Sequence, residues 1–173
     1  SFWVDQTNGA SMTETFTIRP AAISDADTLC TAEQETAKIQ GLLVSQPHEL
    51  TIAAFEKKIR LLSPQGSYLV AEKNGIPVGH ALLEPMSPQA MSHVFSLTII
   101  VHPGYLKRGI GTMLMEALMA WAKRSPEVEK VELRVREGNA PAKALYRRFG
   151  FVEEGILSKR IKLGEHVYLA DIF

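Results

Sequence analysis

The feature that most limits how this chain can fold is a change of hydrophobic period near its middle. Residues Val94 to Val101 form a nearly unbroken β-prone run, lacking the alternation of a strand with one wet face. Such a run belongs inside a sheet covered on both sides. From Ile110 the apolar residues fall instead at Met113, Leu114, Ala117, Leu118 and Trp121, the offsets of one helical face. Between the two lies His102-Pro103-Gly104-Tyr105-Leu106-Lys107-Arg108-Gly109, so a buried strand passes through a glycine-containing turn into a helix. The result is a layered α/β arrangement.

The remaining segments agree with it. Thr15 to Arg19 is β-prone and ends at Pro20; Ser24 and Asp25 can cap a helix carrying Ala26, Leu29, Cys30 and Ala37. Thr51 can cap a second helix with Ile52, Phe55, Ile59 and Leu62 on one face. Ser67 to Lys73 and Pro77 to Glu84 are strands joined by Asn74-Gly75, the strongest short-range hairpin signal. Val131, Leu133 and Val135 alternate with Glu132, Arg134 and Arg136 as one strand, and Asn139 caps a short helix that Gly150 stops. Phe151 to Ile161 and His166 to Phe173 read as two closing strands around Leu163-Gly164-Glu165. About seven strands and about four helices are expected, as a mixed central sheet flanked by helices in one domain over residues 12–173. Residues 1–11 show neither period and read as a disordered leader or appended remnant, with the native start at Met12.

Composition removes several classes of function. The 173 residues carry 19 Lys plus Arg against 19 Asp plus Glu, so affinity for phosphates has to come from a local patch. The pairs Lys123-Arg124, Arg147-Arg148 and Lys159-Arg160 are scattered and read as solvated faces, so no nucleic-acid partner is expected. No apolar run approaches the ~20 residues of a bilayer span, and no secretory signal precedes the first strand, so the expected setting is cytoplasmic with no membrane partner. The single cysteine, Cys30, forms no intrachain disulfide and reads as a buried small hydrophobe. A homodimer is expected, formed through exposure of the final strand.

The turn after Val101 carries the chemistry. Gly109 and Gly111 let backbone amides approach a ligand, and the helix start adds unpaired N–H groups and a partial positive charge. Lys107 and Arg108 add full charges, so the turn suits a pyrophosphate. It is neither a Walker A loop, which needs Gly-Lys-Ser/Thr, nor a dinucleotide fingerprint, whose third glycine is replaced here by Leu114. Further on stands Asn139-Ala140-Pro141-Ala142-Lys143-Ala144-Leu145-Tyr146-Arg147-Arg148-Phe149-Gly150-Phe151.

Together these two segments resemble motifs A and B of the GNAT superfamily of acetyl-CoA-dependent N-acetyltransferases, closely over residues 94–151 and more loosely from Met12 onward. The resemblance implies a single-domain GNAT fold and acetyl-CoA as co-substrate, with no metal. It places Ile99 and Val101 on the strand that hydrogen-bonds the pantetheine arm, and Lys107, Arg108, Gly109, Ile110, Gly111 and Thr112 around the pyrophosphate. Asn139 resembles the family's pantetheine contact and Tyr146 its general acid, aimed at the departing sulfur. Leu106 stands where the family's turn usually has Gln or Arg, a side-chain contact this sequence lacks. Chemically, a phenol of pKa ~10 is a protonated donor at neutral pH for an alkyl thiolate of pKa near ~8.5. The other reading of Tyr146 is a half-buried aromatic of a short helix.

No carboxylate stands within Val94 to Ile99, where many relatives of the family carry one, so the candidate bases are Glu84, His93 and His80. A lysine-like amine of pKa ~10.4 costs about 4.6 kcal/mol to deprotonate at pH 7 and an α-amine of ~7.8 only about 1.1, which tilts the acceptor towards α-amines. His48, Glu49, His166 and Tyr168 occupy regions that in the family shape the acceptor pocket. The expected activity is acetyl transfer from acetyl-CoA to a primary amine of a small molecule, amino acid or protein N-terminus, by direct attack in a ternary complex. The alternative is an acyl-CoA-binding sensor without turnover.

Overall fold

The computed structural model describes residues 15–39, 43, 45–65 and 67–173. The expected leader and the start at Met12 lie outside these residues. The order is β1 (Thr17–Pro20), α1 (Ala26–Ala37), α2 (Ile52–Gln65), β2 (Ser67–Lys73), β3 (Ile76–Pro85), β4 (Val94–Val101), α3 (Ile110–Arg124), β5 (Lys130–Glu132), β6 (Val135–Arg136), α4 (Ala140–Arg148), β7 (Ile156–Gly164) and β8 (Val167–Ile172). Five strands form one sheet in the order β1-β2-β3-β4-β5 and three form another in the order β6-β8-β7. β1 to β4 are mutually antiparallel, whereas β5 lies parallel to β4 because α3 carries the chain back across the sheet.

Local signals account for several boundaries. The β2–β3 hairpin closes on Asn74 and Gly75, with φ of 52° and 78°, a pair of left-handed positions that this dipeptide tolerates. Thr51 Oγ1 accepts from the amide of Ala54 at 3.2 Å ahead of α2, and Asn139 Oδ1 accepts from the amide of Ala142 at 3.4 Å ahead of α4. Asp25 does not cap α1. Its carboxylate takes two bonds from Arg19 at 2.8 Å and one from the amide of Ala22 at 2.7 Å, tying the helix entrance to β1. The Arg19 guanidinium accordingly holds the Asp25 carboxyl below its usual pKa.

The core has two layers, one on each face of the larger sheet. Ala81, Leu83, Phe95 and Leu97 pack on Ile110, Leu114, Met115 and Leu118 of α3. On the opposite face Tyr68, Val70 and Leu82 pack on Leu29 and Cys30 of α1 and on Phe55, Ile59 and Leu62 of α2. Burying each such leucine contributes about 1.5–3 kcal/mol. Alternation along β3 therefore turns His80, Leu82 and Glu84 towards α1 and α2, and their β4 partners Ile100, Thr98 and Ser96 share that face.

Two expectations need correction. The described residues form eight strands in two sheets, because the strand expected across Val131 to Val135 is two strands. β5 pairs with β4 only from Val94–Lys130 to Ser96–Glu132, after which the chain leaves the first sheet and β6 joins β8. The final strand β8 is central in its sheet, so the exposed edge belongs to β7, with Ile156 and Leu157 in solvent.

Candidate active site

The divergence of β4 from β5 makes the site. Beyond Ser96 no β5 residue pairs with β4, while β3 occupies its other edge as far as Val101, so one edge of Leu97 to Val101 offers main-chain amides and carbonyls to an extended ligand. Ile99 and Val101 lie on this stretch, half-buried against the α3 layer. His102 then ends the strand. Its amide donates to the Val78 carbonyl at 2.9 Å, which fixes where the following turn begins.

The turn alternates handedness. Gly104, Lys107 and Gly109 have φ of 87°, 61° and 81°, and Gly109 is the N-cap of α3. The first backward bond of α3 runs from the amide of Met113 to the carbonyl of Gly109 at 3.1 Å. The amides of Ile110, Gly111 and Thr112 precede it, and no side chain caps them. A Cβ built on Gly104 or Gly109 would meet nothing within 4 Å, so the turn is open to a ligand. Left-handed positions among right-handed ones point amides into one concavity, and with the adjacent helix dipole this fits a pyrophosphate.

Gly111 also has a job that its spelling does not show. Its φ is ordinary, and an added Cβ would lie 3.3 Å from Cδ2 of Leu145, so it lets α4 approach α3. Next to it Arg148 Nη2 donates to Thr112 Oγ1 at 3.1 Å. These contacts dock α4, which carries Tyr146 and is capped by Asn139, against the first turn of α3. Tyr146 stacks edge-on against Phe151 with centroids 6.0 Å apart, and it lines a cavity of about 350 Å³ with Met119, Leu133 and Phe149. Burial pushes its hydroxyl above the usual pKa, while the Arg136 guanidinium pulls the other way. Tyr146 is therefore protonated at neutral pH, as an acid must be.

The three candidate bases separate on geometry. His80 is fully buried and both its ring nitrogens are occupied, Nδ1 by His102 Nε2 at 2.8 Å and Nε2 by Glu33 Oε1 at 2.7 Å. Since His102 Nδ1–H donates to the Pro77 carbonyl at 3.2 Å, His102 Nε2 accepts from His80 Nδ1–H. His80 thus ties α1 to the end of β4 and has no nitrogen left for a substrate. Burial drives the His102 pKa down to about 4, with His80 adding to the effect. His93 stands exposed in the turn before β4, its carbonyl taken by the amides of Glu129 and Lys130.

Glu84 is the candidate brought to the divergence. It pairs with Ser96, and Ser96 pairs on its other side with Glu132, so two carboxylate side chains flank Ser96 across three strands. Lys58 of α2 lies 3.5 Å from Glu84. Glu132 was not singled out from the sequence, where only the strand alternation marked it. Of the other candidates, Glu49 caps its own turn through a 2.6 Å bond from the amide of Gln46, and His166 is exposed in the β7–β8 turn beside Glu165. His48 is exposed in the same turn as Glu49, and Tyr168 lies beneath Lys159 and Lys162.

The mixed sheet that splits after Ser96, with an amide cradle at the mouth of the split and a half-buried phenol on the helix packed next to it, has the form of an acyl-CoA-dependent transferase. Residues 26–151 match the Acetyltransferase (GNAT) family, and the chain belongs to it. It is an acetyl-CoA-dependent N-acetyltransferase. It is 33% identical over 123 residues to the N-alpha-acetyltransferase RimI of Mycobacterium tuberculosis, a match spanning 71% of this chain and 74% of that protein. It is also 33% identical over 100 residues to the L-amino acid N-acetyltransferase AaaT of Escherichia coli, spanning 57% of this chain and 62% of that one. Among solved structures, yncA of Salmonella typhimurium with its cofactor acetyl-CoA has the same fold, with a TM-score of 0.81 at 20% identity over 91% of each chain. Among the described residues, no helix is long and apolar enough to cross a membrane and no group of three or more His, Cys, Asp or Glu could hold a metal ion.

Proposed function

We propose that the chain acetylates the α-amine of its acceptor by direct attack within a ternary complex. The pyrophosphate of acetyl-CoA rests on the turn from Lys107 to Thr112, and its pantetheine arm runs along the free edge of β4 at Ile99 and Val101, with Asn139 on its other side. The cofactor then fills the α3–α4 side of the split. An amine must therefore reach the thioester from the α1–α2 side, where Glu84 and Glu132 flank Ser96.

The carboxylates hold the ammonium, and Glu84 takes its proton, directly or through water. The free amine adds to the thioester carbonyl; the C–N bond forms, the C–S bond breaks, the thiolate takes its proton from the Tyr146 hydroxyl, and the phenolate regains one through water from the nitrogen, which becomes the neutral amide. Bringing both substrates to one split lets transfer proceed without a covalent enzyme intermediate.

The observation that carries this reading is the seat of Tyr146, half-buried with its hydroxyl held above the usual pKa, on a helix joined to the cradle through the Arg148–Thr112 hydrogen bond. Release of free CoA across a panel of amines tests it. Turnover that needs both substrates and shows intersecting initial-rate lines is the expected result. Saturable acetyl-CoA binding without acceptor-dependent turnover would favour a sensor instead.

A further inference from the structure

We propose that His102 is a positioning residue for acetyl-CoA: bonded to β3 and, through His80, to Glu33 of α1, it fixes the frame in which the cradle amides face the pyrophosphate. This rests on the reading of Lys107 to Thr112 as the pyrophosphate seat, and extends it to residues that touch no substrate.

One short stretch of β3, Pro77 to His80, holds both ends of the cradle turn. The Val78 carbonyl accepts from the His102 amide at 2.9 Å, and the Pro77 carbonyl accepts from His102 Nδ1–H at 3.2 Å. His80 Nδ1–H donates to His102 Nε2 at 2.8 Å. Between them Gly79 lies against α3, where an added Cβ would come within 2.9 Å of Cγ2 of Ile110, the first residue of that helix. The entrance of the turn at His102 and its exit at Ile110 are thus set from the same piece of strand.

From His102 the chain makes a tight turn. The Tyr105 amide donates to the His102 carbonyl at 3.1 Å, with Pro103 second and Gly104, at φ of 87°, third, the order of a type II turn. Tyr105 is set down against the α3 layer, and the Arg108 guanidinium lies over its ring at 5.3 Å from the centroid. The anchored histidine therefore decides where the ring stands and, through the ring, where one full charge of the cradle stands.

The anchor is itself held firmly. His80 stacks on Tyr68 with centroids 6.0 Å apart, meets the edge of Phe55 of α2 at 6.2 Å, and bonds Glu33 Oε1 through Nε2 at 2.7 Å. Both main-chain groups and both ring nitrogens of His102 are engaged within the protein, and the residue is buried. Apolar side chains would fill this volume equally well for packing alone. A fully bonded polar chain also fixes direction, because each bond holds one geometry.

The test measures Kd by calorimetry, directly for acetyl-CoA and by displacement for S-acetylpantetheine, which lacks the pyrophosphate. His102→Ala leaves the Pro77 carbonyl and His80 Nδ1–H without partners. It is expected to weaken acetyl-CoA binding about 10-fold while S-acetylpantetheine stays within about two-fold of the parent. His102→Gln, whose amide can accept from His80 and donate to Pro77, is expected to bring acetyl-CoA back to within about three-fold. Leu114→Ala is the comparison for lost stability alone and should leave both affinities unchanged in the folded fraction. Should His102→Ala fail to fold, Glu33→Ala at the outer end of the bonded chain is expected to weaken acetyl-CoA about three-fold and to spare S-acetylpantetheine. Equal losses for the two ligands, no recovery in His102→Gln, or parental acetyl-CoA affinity in folded His102→Ala (in Glu33→Ala where that protein does not fold) would overturn the proposal. Lys107→Gln separates it from the reading beneath it. Weaker acetyl-CoA binding in Lys107→Gln with parental binding in His102→Ala would leave the pyrophosphate seat standing and remove the positioning role. Parental binding in both would remove the seat as well.

Discussion

Replacing Gly109 with alanine isolates the backbone geometry of the cradle. The added Cβ meets nothing within 4 Å, so no clash contributes and the whole effect comes from φ of 81°. Holding an L-residue in the left-handed region costs about 1–2 kcal/mol. The turn has two ways to respond. It can keep its shape and pass the cost to the fold, which for a chain of this size lowers Tm by about 2–4 °C per kcal/mol. Or it can relax and lose the amide concavity, weakening acetyl-CoA binding by about 5- to 30-fold for the same energy. Calorimetric titration with acetyl-CoA and a thermal melt on the same preparation measure both, and together they should account for the 1–2 kcal/mol. Gly111→Ala provides the contrast, because its Cβ meets the flexible end of Leu145 at 3.3 Å and Val101 at 3.8 Å, and its effect should fall on the seat of Tyr146 and hence on kcat. A Gly109→Ala protein unchanged in both binding and Tm would refute the assignment of this turn as a strained cradle.

Other outcomes follow from the core and the buried histidines. Leu114→Ala, at a side chain with no exposure, should destabilise by about 2–5 kcal/mol in a denaturant melt, with acetyl-CoA affinity preserved in the folded fraction. His102 is depressed to about 4 in the folded protein against an ordinary 6.5, so the unfolded chain binds more protons between those values. Its contribution is therefore complete above pH 6.5 and is lost as pH falls towards 4, by about 3 kcal/mol in all. Denaturant midpoints at pH 7 and pH 5 should differ less in His102→Gln than in the parent, and equal slopes would contradict the buried neutral histidine. Association through the exposed β7 edge should give a light-scattering mass near twice 19.1 kDa, and Lys substituted at Ile156 should return the monomer.

Much of the fold was legible because its signals are local. The Asn74-Gly75 turn, the Asn139 cap and the switch of period at Val101 each depend on a few neighbouring residues. The β5–β6 split was not legible, since the alternation of Val131, Leu133 and Val135 continues unbroken while the strand changes partners. Periodicity reports which face is buried and carries no information on which strand lies alongside. The same reason hid half of the site. Glu132 becomes a candidate only once Ser96 is known to sit between it and Glu84. Gly111 carries a second role that spelling did not show: besides its uncapped amide at the start of α3, the contact with Leu145 makes it a packing glycine between two helices.

The central claim is that Tyr146 donates the proton that releases CoA, and Tyr146→Phe tests it most directly. The substitution keeps the ring against Phe151 and removes only the hydroxyl. With saturating acceptor and chemistry limiting the rate, kcat should fall by about 10²- to 10⁴-fold while acetyl-CoA affinity changes little. A Phe variant that keeps more than about half of the parent kcat would contradict the claim and leave Tyr146 as a packing residue of α4.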